Sequence, residues 1–181
     1  MSSWKTVYVG GGTPSLLTPE QILRLFKGIA IAAPFAPGAE VTVEMNPDDI
    51  TPQLLCAAET AGVNRLSVGI QSLNNAVLLE ISRRCTRKTS LAALEIIQKN
   101  WNHSFSADII SGLPEASSEY FVETLQTLVS FNPDHISLYA LTLEEETPLG
   151  SQILSGKKFY DYDAADAQWV SGRDYLKSRG Y

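Results

Sequence analysis

Apolar and β-branched residues gather in five short runs: TVYVG at 6–10, VTVEM at 41–45, RLSVGI at 65–70, SADIIS at 106–111 and HISLYAL at 135–141. Runs of this length and composition predict strands. Their starting points lie 24 to 41 residues apart. Between them apolar positions return every three or four residues, as in Leu91, Leu94, Ile97 and Trp101 or Phe121, Leu125, Leu128 and Val129, the period of an amphipathic helix. The alternation predicts parallel β/α units, each connection being long enough for a crossover helix.

Helix boundaries are marked by local chemistry. Thr18-Pro19 and Thr51-Pro52 each pair a capping hydroxyl with a proline at the first helical position, where no amide donor is needed. Gln21 completes a capping-box pattern with Thr18. Gly62, Asn132-Pro133 and Gly180 mark helix ends. The stretch 32–38, with two prolines, reads as a loop feeding the second strand, and Asp163 or its neighbour as a helix cap. Five units are too few for a closed eight-stranded barrel and enough for an open doubly wound sheet. The expected architecture is therefore an open sheet or an incomplete barrel, in one domain.

Charge and composition narrow the function. Twenty acidic residues against 14 basic ones give a net charge of −6, which argues against a phosphate backbone as main ligand, so no nucleic acid is expected. No apolar stretch reaches the length of a membrane span, and a cytoplasmic location is expected. The two cysteines, Cys56 and Cys85, have no partners at metal-ligand spacing, so no metal ligands are assigned. Cys56 reads as core filler on a helix.

Polar residues recur where the strands end: Gly10 to Thr13, Glu44 with Asn46, Gln71, Asp108 with Gly112, and Tyr139 with Thr142. In parallel β/α proteins that end carries the ligand site. Glu44 and Asp108 interrupt apolar strands, where a carboxylate needs hydrogen bonds or a cation to offset lost hydration. The plainer alternative gives each a loop amide or an arginine such as Arg65 or Arg83. The triple glycine lets a ligand approach the backbone. Gly10-x-Gly12-x-x-Ser15 approximates a dinucleotide fingerprint, yet Pro14 and the later cap at Thr18 separate it from the helix that such a loop should open. A nicotinamide- or flavin-binding protein is the corresponding alternative. His103 and His135 read as surface or capping residues, and Glu144 to Glu146 as a solvated loop.

Five segments, YVGGGTPSLL (8–17), VEMNPDDIT (43–51), RLSVGIQSLN (65–74), ADIISGLP (107–114) and HISLYALTLEEETPLG (135–150), resemble in order and spacing the radical S-adenosylmethionine (SAM) proteins of the oxygen-independent coproporphyrinogen III oxidase family. The last segment is similar to that of its haem chaperone branch. The resemblance implies an incomplete (β/α)6, TIM-like barrel acting in porphyrin or haem metabolism. It implies SAM and a 4Fe-4S cluster as cofactors, and haem or porphyrin as a further ligand. It places the SAM methionyl group against Gly11, Gly12 and Thr13, with Glu44, Gln71, Arg83 and Asp108 around the rest and Ala140 near the adenine. Acidic and amide side chains suit ribose hydroxyls, and a guanidinium suits a carboxylate.

The resemblance also defines departures. The family's C-x3-C-x2-C motif precedes the segment matching Val7 and does not occur in this sequence, and three thiolates cannot come from Cys56 and Cys85. Cys85 stands where the chaperone branch usually has a histidine. Residues 1–181 are thus expected to form part of a radical SAM core, without the cluster-bearing strand or a C-terminal domain. Alone, the chain is expected to be catalytically silent and to bind SAM weakly. The alternative of another class is a non-catalytic remnant, or a half-barrel that pairs with a separate, cluster-bearing partner.

Overall fold

A computed structural model describes residues 2–114 and 118–181. The elements follow the predicted alternation: β1 (Trp4–Val9), α1 (Pro19–Ala32), β2 (Phe35–Met45), α2 (Pro52–Thr60), β3 (Arg65–Gln71), α3 (Asn75–Glu80), α4 (Arg87–Asn100), β4 (Ser104–Ser111), α5 (Ser118–Ser130), β5 (His135–Ala140), α6 (Pro148–Leu154) and α7 (Tyr162–Ser178). Short 3-10 turns at Pro14–Leu16 and Pro47–Asp49 follow β1 and β2.

The sheet order is β1-β2-β3-β4-β5, and every pairing is parallel. A doubly wound sheet reverses its order at a switch point; this one never does. Crossovers of one hand, taken in sequence order, place all helices on one face. The sheet is therefore the arc of an incomplete barrel, and the open-sheet alternative falls.

The two faces of the arc differ in chemistry. Val41, Val43, Met45, Leu66, Val68, Ile70, Ala107 and Ile109 pack against Ile22, Phe26, Leu55, Leu94, Ile97, Leu125 and Leu128 of the helices. The other face carries Tyr8, Thr42, Glu44, Ser67, Gly69, Ser106 and Asp108. The register places Glu44 beside Ser67, Ser67 beside Ser106 and Gly69 beside Asp108. One apolar and one polar side per strand is the reason these strands read as interrupted apolar runs.

The capping predictions hold: Thr18 and Gln21 form a capping box, and the Thr51 hydroxyl accepts from the Leu54 amide. Gly62 and Gly180 adopt φ of +89° and +93° as helix terminators. Three expectations need correction. Residues 35–38 belong to β2 rather than a loop, because Trp4 pairs with Phe35 and two positions of β1 then face five of β2, the bulge containing Gly38 at φ +75°. The α7 cap is Asp161, which accepts from the Ala164 amide, with Asp163 in the first turn. Cys56 is exposed, because α2 turns Leu54, Leu55, Ala57 and Ala58 inward instead.

Candidate functional site

The C-terminal ends of β1 to β4 enclose a cleft of about 190 Å³. Its first wall is the loop after β1. Gly11 has φ of +98°, a left-handed conformation that glycine adopts without strain. At Gly10 a Cβ would lie 2.6 Å from both Glu44 Cδ and Tyr8 Cε1, so the backbone there packs directly on those side chains. The following turn is pinned to β2: buried Ser15 donates to Asp49 Oδ2 at 2.7 Å and accepts from the Asn46 amide at 3.0 Å. Arg84 in turn holds both Asp49 oxygens, at 3.1 and 3.2 Å.

The two strand carboxylates are held differently. Glu44 accepts from the Tyr8 hydroxyl at 2.5 Å and from the Gly11 amide at 3.0 Å, one bond to each oxygen. The Tyr8 ring is largely exposed, but loss of hydration at its hydroxyl, then the hydrogen bond and negative charge of Glu44, push its pKa up to about 12. Asp108 Oδ2 accepts from Ser67 at 2.8 Å. Asp108 Oδ1 is buried with no hydrogen-bond partner. The plainer alternative thus describes Glu44, which bonds a loop amide, and does not describe Asp108. Neither arginine pairs with them: Arg65 meets Glu40 at 3.6 Å, and Arg83 donates to Gly69 O at 2.9 Å and Asn46 Oδ1 at 3.3 Å.

Arg83 reaches the cleft because α3 ends abruptly. Ser82 takes φ of +57°, and the Arg83 amide bonds back to Leu78 O at 2.8 Å, which turns the chain toward β3. Gly69 makes room for it: a Cβ there would sit 3.0 Å from Arg83 Nη2 and from Gln71 Nε2. Gln71 itself has φ of +64° and follows an irregularity in the pairing of β3 with β4. Backbone strain of this kind concentrates at ligand sites.

Seven of the eight residues proposed from sequence, Gly11, Gly12, Thr13, Glu44, Gln71, Arg83 and Asp108, line this one cleft. Ala140 does not; it is exposed at the end of β5. Pro14, Ser15, Met45, Asn46, Ser67 and Gly69 complete the lining. Tyr8 and Ser67 were not singled out in the sequence, although their signal was there: each shares strand parity with a strand-end residue that the sequence marks, Tyr8 preceding Gly10 by two positions and Ser67 preceding Gln71 by four. His103 bonds Glu59 at 3.0 Å on the surface, away from the cleft. His135 and Glu144 to Glu146 are exposed, and no metal-holding group of three or more His, Cys, Asp or Glu occurs among the described residues.

Comparison with known proteins agrees with this geometry. The model of the radical SAM superfamily matches residues 2–128, and the chain belongs to that superfamily. It is 34% identical over 176 residues to the heme chaperone HemW of Buchnera aphidicola subsp. Schizaphis graminum, covering 97% of this chain and 46% of that protein. It is 35% identical to radical S-adenosyl methionine domain-containing protein 1, mitochondrial, of Bos taurus, covering 98% of this chain and 40% of the relative. Among solved structures, coproporphyrinogen III oxidase (HemN) from Escherichia coli superposes with a TM-score of 0.85 at 26% identity, over 98% of this chain and 41% of that one. The radical SAM methyltransferase TsrM of Kitasatospora setae shares the fold alone, with a TM-score of 0.68 at 14% identity over 84% of this chain and 31% of its own. The chain spans less than half the length of these relatives. The arc is thus a partial radical SAM barrel, and the nicotinamide or flavin alternative has no support in these matches.

The superfamily's cofactors are SAM and a 4Fe-4S cluster. The cleft fits the first. Asp108 offers an unpaired buried acceptor, and Arg83 forms no ion pair among the described residues. No atom lies within 4 Å of where a Gly12 Cβ would be, so the loop leaves open space on that side. The residues present do not fit the second: the sequence has two cysteines, Cys56 exposed on α2 and Cys85 buried after α3. No helix of the described residues is long and apolar enough to cross a membrane.

Proposed function

We propose that the cleft binds SAM, and that residues 1–181 form the cofactor-holding part of a radical SAM core that acts in haem or porphyrin metabolism. The observation that carries the reading is Asp108 Oδ1, a buried acceptor left without a partner, on a residue lining a cleft that also holds the Arg83 guanidinium, which bonds Gly69 O and Asn46 Oδ1 and has no carboxylate partner among the described residues. An amino-acid ligand bearing hydroxyls satisfies both: its carboxylate takes the guanidinium and a ribose hydroxyl donates to the orphaned oxygen. Gln71 adds an amide to the ribose, and Gly11, Gly12 and Thr13 bring backbone to the methionyl group. Ala140, at the end of β5, is the proposed neighbour of the adenine. The names of the relatives, a heme chaperone and a coproporphyrinogen III oxidase, support haem or porphyrin as the further ligand.

In a complete protein of this class the cofactor supplies a reactive radical. The residues of this chain bind and orient it, and the chain alone is expected to be silent and to bind SAM weakly. The assignment of Arg83 is tested by titrating SAM and decarboxylated SAM calorimetrically. Arg83→Gln weakens SAM about tenfold or more and leaves the decarboxylated form unchanged. Equal loss for both ligands contradicts the assignment.

A second reading rests on the edge of the sheet. Among described residues β1 pairs only with β2, and Trp4 is 41% exposed there. An open edge of this kind accepts a further strand, as a half-barrel that pairs with a cluster-bearing partner requires. A solution mass that rises with concentration supports self-pairing, and a native product near 19.8 kDa in the source cells supports a separate partner.

A further inference from the structure

Both oxygens of Glu44 are occupied within the protein, one by the Tyr8 hydroxyl and one by the Gly11 amide. This carboxylate therefore acts on the ligand loop before it acts on any ligand. Its direction is set by its other partner. The Tyr8 hydroxyl approaches to 2.5 Å, within the range of a charge-assisted bond, while Gly10, without a Cβ, lets both side chains close on the backbone. The Ser67 hydroxyl that holds Asp108 also lies beside this phenol. Tyr8 is 58% exposed and stands outside the apolar core, so its contribution to packing is small.

We propose that Tyr8 is a positioning residue of the cleft: its hydroxyl fixes the Glu44 carboxylate, and Glu44 in turn fixes the amide of Gly11 and hence the conformation of the glycine loop. Tyr8 needs no contact with the ligand to act. Removing the hydroxyl frees the carboxylate to rotate into water and leaves the Gly11 amide without a steady acceptor. The ligand then has to order the loop itself, and affinity falls.

The inference rests on the reading of the cleft as a SAM site only in its binding arm. The first arm uses the ligand-free chain. In Tyr8→Phe, Gly11 amide hydrogen exchange is expected to rise about fivefold or more, as loss of a charge-assisted bond implies, with an unchanged melting temperature. 4-Aminophenylalanine at position 8, which keeps a donor, restores the slow exchange. In the second arm Tyr8→Phe weakens SAM about tenfold, and adds nothing further in a Glu44→Gln background. Unchanged Gly11 exchange in Tyr8→Phe overturns the proposal, as does an effect on SAM that adds fully to that of Glu44→Gln. If the unmodified chain fails to bind SAM, the reading of the cleft fails, and the exchange arm still decides the role of Tyr8.

Discussion

Ser67 on β3 and Asp108 on β4 meet through a 2.8 Å hydrogen bond that occupies one carboxylate oxygen and leaves the other buried and unpaired. The serine fixes the direction of the aspartate, and Asp108 lines a cleft built from four strand ends. A folded chain keeps an arrangement of this kind at a cost in its own stability, so the arrangement points to a ligand. Asp108→Asn should therefore leave the fold as stable as before, or up to about 1 kcal/mol more stable, as measured by urea denaturation. A loss of several kcal/mol would mean that Asp108 is a structural residue.

Gly12 should separate folding from binding. It has no positive φ, and an added Cβ meets no atom within 4 Å. Gly12→Ala should keep or raise the melting temperature, since alanine restricts the unfolded chain by about 0.4–1 kcal/mol. It should still weaken SAM, because the methyl group enters the space where the ligand approaches. The neighbouring Gly11→Ala, at φ of +98°, should lower stability by about 1 kcal/mol.

The pin beneath the loop is Ser15. Its hydroxyl bonds both Asp49 and the Asn46 amide, and the residue is buried. Ser15→Ala should cost about 1–3 kcal/mol in unfolding free energy, because two half-buried polar partners lose their bond. Ser15→Thr keeps the hydroxyl and should recover part of that loss.

Tyr8 also makes an alkaline prediction. Its pKa in the fold is pushed up to about 12, above the value of the unfolded chain, so the unfolded state loses this proton first as pH rises. Below about pH 10 both states keep the proton and this ionisation does not affect stability; as pH rises toward 12 it costs the folded state stability. Stability measured across that window should fall less steeply in Tyr8→Phe than in the unmodified chain.

Much of this was legible in the sequence for identifiable reasons. The strands are short apolar runs, and Thr18, Thr51 and Gly62 mark helix ends by backbone chemistry that acts locally. Strand order was not legible, since the same five runs serve a doubly wound sheet or an arc, and only the pairing of β1 with β2 and onward decides between them. The start of β2 was hidden by Pro34 before it and Pro37 within it, the second of which lies in the bulge. Glu44 and Asp108 stood out as carboxylates within apolar strands. Tyr8 and Ser67 did not, because an aromatic or a small hydroxyl residue is ordinary in a strand and gains meaning only when a neighbouring strand brings it to a carboxylate. Ala140 lies outside this cleft, exposed at the end of β5, so its proposed place beside the adenine rests on the resemblance alone.

The most direct test of the central claim is calorimetric titration of SAM into the chain and into Asp108→Asn. The account predicts saturable one-to-one binding to the unmodified chain, weak in the absence of a cluster, and weakened about tenfold or more in the variant. Absence of saturable binding, or equal affinity in the two proteins, would contradict it.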